Sequence, residues 1–171
     1  MCINAISIFD NKIKGYVKFH QCMKNEPTVV KFKVQGLKPN NINACHIHQY
    51  GDILEGCKSL GPHWNPSNSK HGHTNLSIGL DKHIKLKNEN RQSHAGDLLN
   101  NIKADSDGRF YYEYLDYRIN LFGDVSESII GQSVVIHNGV DDLGLGNNKE
   151  SLETGNAGER IDCAIIGHSK S

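Results

Sequence analysis

Residues 28–35 read TVVKFKVQ, with Val30, Phe32 and Val34 alternating against Val29, Lys31 and Lys33. Successive side chains of a strand point to opposite faces, so a run of this period can bury one face and wet the other. A helix of the same sequence would scatter its apolar residues around the axis. The pattern recurs at 13–20 (IKGYVKFH), where Ile13, Gly15, Val17 and Phe19 alternate against mostly polar partners. A short apolar run occupies 3–9, and GLKPNN at 36–41 reads as a turn. Period-2 runs separated by turn signals point to an antiparallel sandwich or barrel. Strand patterns resume at 101–105 and 109–117 (RFYYEYLDY), with the tight-turn signal SDG at 106–108 between them. Residues 133–137 (SVVIH) form another β-branched run, and 160–166 (RIDCAII) close the chain as a last strand. Together with a strand ending on CHIH (45–48), the total is about eight strands, with one helical turn near Lys149–Leu152.

A length of 171 residues suits one domain spanning 1–171. The 19 basic and 19 acidic residues cancel, so the charge implies neither a nucleic-acid-binding surface nor a polyacidic tail. The start, MCINAISIFDNKIKG, lacks a basic segment followed by an apolar one, and no apolar run approaches membrane-spanning length. The expectation is a cytoplasmic protein with no membrane association. Its five cysteines would then stay mostly reduced, and an odd count leaves at least one unpaired within the chain.

Two stretches break the strand pattern, 49–94 and 139–159, both rich in Gly and Asn. So long a loop in a compact chain needs something other than a core to organise it, and metal–ligand bonds can do this. The histidines supply candidates. His46 and His48, at i and i+2 on one strand, aim two imidazoles at one point. GPHWNPSNSKHGH (61–73) carries His63 and His71 in a Gly/Pro-rich loop, HAGD (94–97) offers an imidazole and a carboxylate within one turn, and VVIHNGVDD (134–142) ends a strand on His137. Borderline-soft divalent metals favour imidazole and accept a carboxylate as a fourth ligand. His73 rivals His71. His83 reads as a solvated spare, and His20 and His168 have no supporting context.

The stretches HIHQYGD, GCKSLGPHWNP, KHGH, HAGDL, VVIHNGVDDLG and TGNAGERIDCAIIG, in that order, resemble those of copper–zinc superoxide dismutases over nearly the whole chain. The resemblance implies an all-β, eight-stranded Greek-key barrel or sandwich, immunoglobulin-like, with two long functional loops. By the same resemblance His46, His48, His63 and His137 are copper ligands. His63, His71, His94 and Asp97 are zinc ligands, with His63 bridging the two ions and passing a proton to the nascent peroxide. Asp141 would link a copper histidine to a zinc histidine, Arg160 would receive the anionic substrate superoxide, and Cys57 and Cys163 would form a disulfide. That bridge closes a loop of about a hundred residues, worth roughly 4–5 kcal/mol in the chain-entropy picture. Cys2, Cys22 and Cys45 are then expected to be unpaired. The resemblance also implies a homodimer, to which Ile53, Ile129, Ile130 and Ile165 would offer apolar contacts, and a copper chaperone as a partner. A non-catalytic homologue would have lost a copper ligand or the arginine, and all are present.

Four departures from the family pattern stand out. Twenty-two residues (72–93) separate His71 from His94, an insertion in the zinc loop near 74–91. DLLNNIKAD carries one extra residue after Asp97, enough for a bulge. Lys149 stands where the family tends to be acidic, Glu153 where a lysine is common, and Leu145 replaces another lysine. Steering of superoxide would rest on Arg160 and Lys149, with activity falling less steeply with ionic strength than in typical members. Cys45 replaces a usual aromatic and is expected to change packing alone.

Overall fold

A computed structural model describes residues 1–74 and 93–170. The expected insertion therefore lies outside the described residues from position 75 onward, as does His83. The described chain contains β1 (Ile3–Asp10), β2 (Lys14–Gln21), β3 (Thr28–Gln35), β4 (Ile42–His48), β5 (Asn101–Lys103), β6 (Arg109–Asp116), β7 (Ser133–His137) and β8 (Arg160–His168). These form one antiparallel eight-stranded sheet in the order β5-β4-β7-β8-β1-β2-β3-β6, a nearly closed all-β barrel of Greek-key type. The two edge strands, β5 and β6, are consecutive in sequence and joined by the Asp-Gly turn. Gly108 donates to the Asp105 carbonyl there and accepts from Leu37, which pins the 36–41 turn against the same corner. Among the described residues no helix is long and apolar enough to cross a membrane.

Alternation places the core where the period-2 pattern requires it. On β3, Val30, Phe32 and Val34 are buried while Lys31 and Lys33 face solvent. Val17 and Phe19 from β2, Phe110 and Tyr114 from β6, and Ala5 and Phe9 from β1 complete the same cluster, with Phe32 edge-on to Phe110 at 5.5 Å. β4 is different, because every residue after Ile42 is buried. Cys45 and Ile47 belong to the core, and the opposite face, carrying His46 and His48, lies under loops.

The single α-helix among the described residues, α1 (Lys149–Thr154), runs two residues beyond the expected turn. The Asn148 side chain accepts from Ser151 N, and Gly155 ends the helix in the left-handed conformation, two devices suited to those residues.

Three expectations need correction. Cys2 and Cys22 are not unpaired: they form a disulfide, because the β1–β2 register sets them opposite each other just beyond the Ile3–Gln21 pair. Cys45 is free and buried as expected, and burial pushes its thiol pKa well up, so it stays a protonated core residue. Ile129 is fully buried in the core and has no surface to offer a partner, unlike the exposed Ile53 and Ile165. Finally, the extra residue after Asp97 makes no bulge. β5 pairs with β4 in unbroken register, and the slack is taken up by left-handed backbone at Leu98 (φ 45°) and Asn100 (φ 59°). A register irregularity does occur at Ile136/His137, opposite β8.

Candidate metal centre

Backbone pairing positions the first histidines. The loop after β4 doubles back along it: Gln49 donates to the Pro62 carbonyl at 2.9 Å, and Trp64 donates to the Ile47 carbonyl at 2.8 Å. His63 is thereby bridged to His48. Gly96 donates to the Trp64 carbonyl at 3.0 Å, and a Cβ at that position would stand 2.5 Å from the Ile47 carbonyl oxygen. The HAGD turn therefore needs glycine there, and this close approach brings His94 and Asp97 against His63.

The tautomers of three rings follow from what their outer nitrogens touch. His48 Nδ1 donates to the Gly61 carbonyl at 2.9 Å, His137 Nδ1 to the Gly158 carbonyl at 3.1 Å, and His46 Nε2 to Asp141 Oδ2 at 2.7 Å. Each neutral ring is left with a lone pair on its inner nitrogen. His48 Nε2 and His137 Nε2 face each other at 3.3 Å with neither carrying a proton to donate. His46 Nδ1 and His63 Nε2 have no hydrogen-bond partner among the described residues. Buried acceptors left unpaired cost free energy, roughly 1–3 kcal/mol each. Four donor atoms, from His46, His48, His63 and His137, lie within 4.8 Å of one another. A single cation would satisfy all of them. Burial first, and then the crowding of imidazoles, holds His63 at a pKa of about 3. Burial likewise lowers His137 to about 4 and lowers His46 and His48. Such rings are ready to bind a metal without first losing a proton.

A second set shares His63. Asp97 Oδ1 lies 3.0 Å from His63 Nδ1, 3.0 Å from His71 Nδ1 and 3.3 Å from His94 Nδ1. These four residues also form a group with donor atoms within 4.8 Å of one another. One nitrogen of His63 thus faces each set. Three imidazoles and a carboxylate suit zinc, and four imidazoles suit copper. Asp141 spans the sets from behind, since its Oδ1 accepts from His71 Nε2 at 2.8 Å while Oδ2 holds His46. Burial opposes ionisation of both aspartates, but hydrogen bonds from the rings overcome it and hold Asp97 and Asp141 well below the usual carboxylate range. Two buried carboxylates demand positive charge. His71 lies between them: burial works against its second proton, but hydrogen bonds to Asp141 and then Asp97 raise its pKa to about 10. His73 is buried nearby but stands outside both sets, and its ring nitrogens have no partner among the described residues.

Arg160 opens β8. Its Nη1 donates to the Cys57 carbonyl at 2.7 Å, and its Nη2 to the Gly61 carbonyl at 2.6 Å, the same oxygen that orients His48. The disulfide expected between Cys57 and Cys163 is present and closes a separation of 106 residues. It ties the 3-10 turn Gly56–Leu60, which with the following Gly61 supplies those carbonyls, to the strand that carries Arg160. The expected steering charge at Lys149 is offset in place, because Glu153 one helical turn on pairs with it at 3.4 Å.

Several supporting residues escaped the sequence reading. Asn100 Nδ2 donates to Asp141 Oδ2 at 3.0 Å and to the Gly72 carbonyl at 3.0 Å. Asn101 exchanges side-chain bonds with the Asp141 backbone, and Arg118 Nη2 donates to the Leu98 carbonyl at 2.7 Å and pairs with Asp116 at 2.7 Å. The doubled asparagine beside HAGDL was a signal for the first two, since Asn tolerates left-handed backbone. Nothing local marks Arg118. His20 and His168 lie outside both sets.

A sequence-family model described as copper/zinc superoxide dismutase matches residues 13–166. The Cu-Zn superoxide dismutase of Paramecium bursaria Chlorella virus 1 is 40% identical over 168 residues, covering 98% of this chain and 80% of that one. Those of Saccharomyces cerevisiae (39% identical, covering 96% of this chain and 97% of that one) and Podospora anserina (42%, covering 98% and 99%) are similar throughout. A crystal structure titled as the clock protein EA4 superposes with a TM-score of 0.80 at 33% identity, covering 96% of this chain and 93% of that one.

Proposed function

The chain belongs to the copper/zinc superoxide dismutase family and dismutes superoxide to dioxygen and hydrogen peroxide, and we propose which of its residues carry that reaction. His46, His48, His63 and His137 hold the copper. His63, His71, His94 and Asp97 hold the zinc. Bound copper supplies the one-electron couple that dismutation needs, and zinc, with no accessible redox change, supplies a fixed charge that orders the loop. The observation that carries the assignment is the convergence of lone-pair nitrogens without proton donors, His48 Nε2 against His137 Nε2 and the unpartnered His46 Nδ1 and His63 Nε2.

The remaining roles fall to this chain's own groups. Asp141 fixes the tautomers of His46 and His71 together, so the aim of one ring in each set depends on one carboxylate. Arg160, held at two nitrogens by backbone carbonyls, presents a rigid cation to superoxide. His63 Nε2 is the atom that holds and delivers a proton to the reduced oxygen species. The chain acts as a single domain in which 74–91 is an insertion into the zinc loop.

The tests are reconstitution and one substitution. Protein loaded with copper and zinc dismutes superoxide. His63→Ala keeps some copper but loses most activity, and full retained activity contradicts the assignment. Anomalous diffraction at the zinc edge places zinc on His71, and zinc on His73 refutes that ligand.

We also infer a cytoplasmic homodimer, with a copper chaperone as its metal donor. Support for the dimer is the exposure of three apolar side chains, Ile53 (55%), Leu54 (92%) and Ile165 (38%), the last beside Gly51. Sedimentation at micromolar concentration gives a dimer, and a monomer alone refutes it.

A further inference from the structure

The open end of the β1–β2 hairpin carries a further group of ligand-type side chains, separate from the centre described above. The register pairs Asn4 with His20 and Ile3 with Gln21, which sets Cys2 opposite Cys22 one step further on. Their sulfurs are bonded, Cys2 is exposed and Cys22 is half-buried, so solutes reach the bond. His20, two residues before Cys22, projects to the same side of β2 and is exposed.

His20 is held in the tautomer a ligand needs. Its Nδ1 lies 2.8 Å from Asn4 Oδ1, an oxygen that accepts and cannot donate, so the ring proton sits on Nδ1. The lone pair is then on Nε2, which faces Cys22 Sγ at 3.4 Å. A disulfide sulfur has no proton to offer it. The donor atoms of Cys2, His20 and Cys22 all lie within 4.8 Å of one another. Around one zinc ion, at ~2.3 Å to sulfur and ~2.0 Å to nitrogen, such donors stand roughly 3.5–3.8 Å apart. The ring is therefore already in place, and cleaving the bond leaves both sulfurs beside it.

We propose that reduction of Cys2–Cys22 turns this strand end into a redox-gated zinc site, with Cys2 Sγ, Cys22 Sγ and His20 Nε2 as ligands and water completing the tetrahedron. Opening consumes a dithiol, which passes two electrons and two protons to the S–S bond and becomes a disulfide itself. Zinc then displaces the two thiol protons. Closing uses hydrogen peroxide, a product of the chain's own reaction. It takes two electrons from the two thiolates and, with two protons, becomes two waters as the S–S bond re-forms. Zinc leaves because a disulfide sulfur carries no charge to hold it. The site thus holds zinc under reducing conditions and gives it up when peroxide accumulates.

The test uses the fully metallated enzyme, reduced with a dithiol until Cys2 and Cys22 alkylate while peptide mapping shows Cys57–Cys163 intact. Titration with Zn²⁺ then finds one further equivalent per chain, where the oxidised enzyme binds none. That zinc protects both thiols from alkylation, and hydrogen peroxide releases it to a chelator. His20→Gln, at an exposed position, weakens binding at least tenfold and leaves dismutation unchanged. Cys22→Ser abolishes binding of the further zinc. No further equivalent, half an equivalent bridging two chains, unchanged affinity in His20→Gln, or zinc retained after the disulfide re-forms would each overturn the proposal.

Discussion

The β2–β3–β6 side of the barrel and the β4–β7 side are built on opposite principles. On the first, Val17, Phe19, Val30, Phe32, Phe110 and Tyr114 meet as a dry cluster that needs nothing but the chain itself. On the second, the faces of β4 and β7 that point away from this core carry His46, His48 and His137, and they are covered by loops with little apolar content. What holds those loops is a polar lattice centred on Asp97 and Asp141, each contacted by at least two buried imidazoles. A dry core is stabilised by removing area from water. A buried lattice of unpaired acceptors and carboxylates is stabilised only when positive charge enters it. The difference teaches that one side is held by burial of apolar area, while the other depends on how its buried charges and acceptors are satisfied.

Chelation breaks the comparison most severely. Binding free energy at structural zinc sites is on the order of 10 kcal/mol, and here it falls on the loop side alone. After removal of both ions, hydrogen exchange at 61–74 and 139–158 accelerates by orders of magnitude while β2, β3 and β6 stay protected. Uniform loss of protection across the sheet would refute a division between the two sides.

Phe32→Ala probes the other half. It removes a fully buried ring and costs about 3–5 kcal/mol in unfolding free energy by denaturant titration. The folded fraction should retain its metal content and its rate. A change in copper occupancy would mean the two sides are coupled through the core.

The smallest effect sharpens the surface electrostatics. Lys149 and Glu153 are exposed and paired, so their fields cancel at a distance. Glu153→Gln frees the lysine, raises dismutation at low ionic strength by less than tenfold, and steepens the decline with added salt. An unchanged salt profile would leave Arg160 as the sole source of steering.

The elements read correctly from sequence share one property: their signal is local. Val30, Phe32 and Val34 announce a half-buried strand within seven residues, and Asp-Gly announces its turn. The clustering of ligand-type residues in HIH, KHGH and HAGD was equally visible. Other features were not. Cys2 and Cys22 were expected to be unpaired because nothing within either segment indicates the β1–β2 register that brings them together. Ile129 was assigned to a surface because its neighbours could not show that it sits in the core. His71 and His73 are equivalent as letters. What separates them is that His71 N donates to the Leu152 carbonyl, from the other loop, which sets that ring between Asp97 and Asp141.

The sequence alone therefore determined the strand count, the period that chooses the core face, and the residue types gathered for metal chemistry. These depend on neighbours one to four positions apart. Tertiary structure alone decided which nitrogen of each ring faces inward, that Asp141 serves two rings at once, that Arg118 and Asn100 brace the segments carrying His94 and His71, and that Glu153 offsets Lys149. Tautomers and shared carboxylates depend on atoms up to 95 residues distant in the chain, as between His46 and Asp141. The closing of the barrel brings such atoms within hydrogen-bond range, where direction as well as composition sets the chemistry.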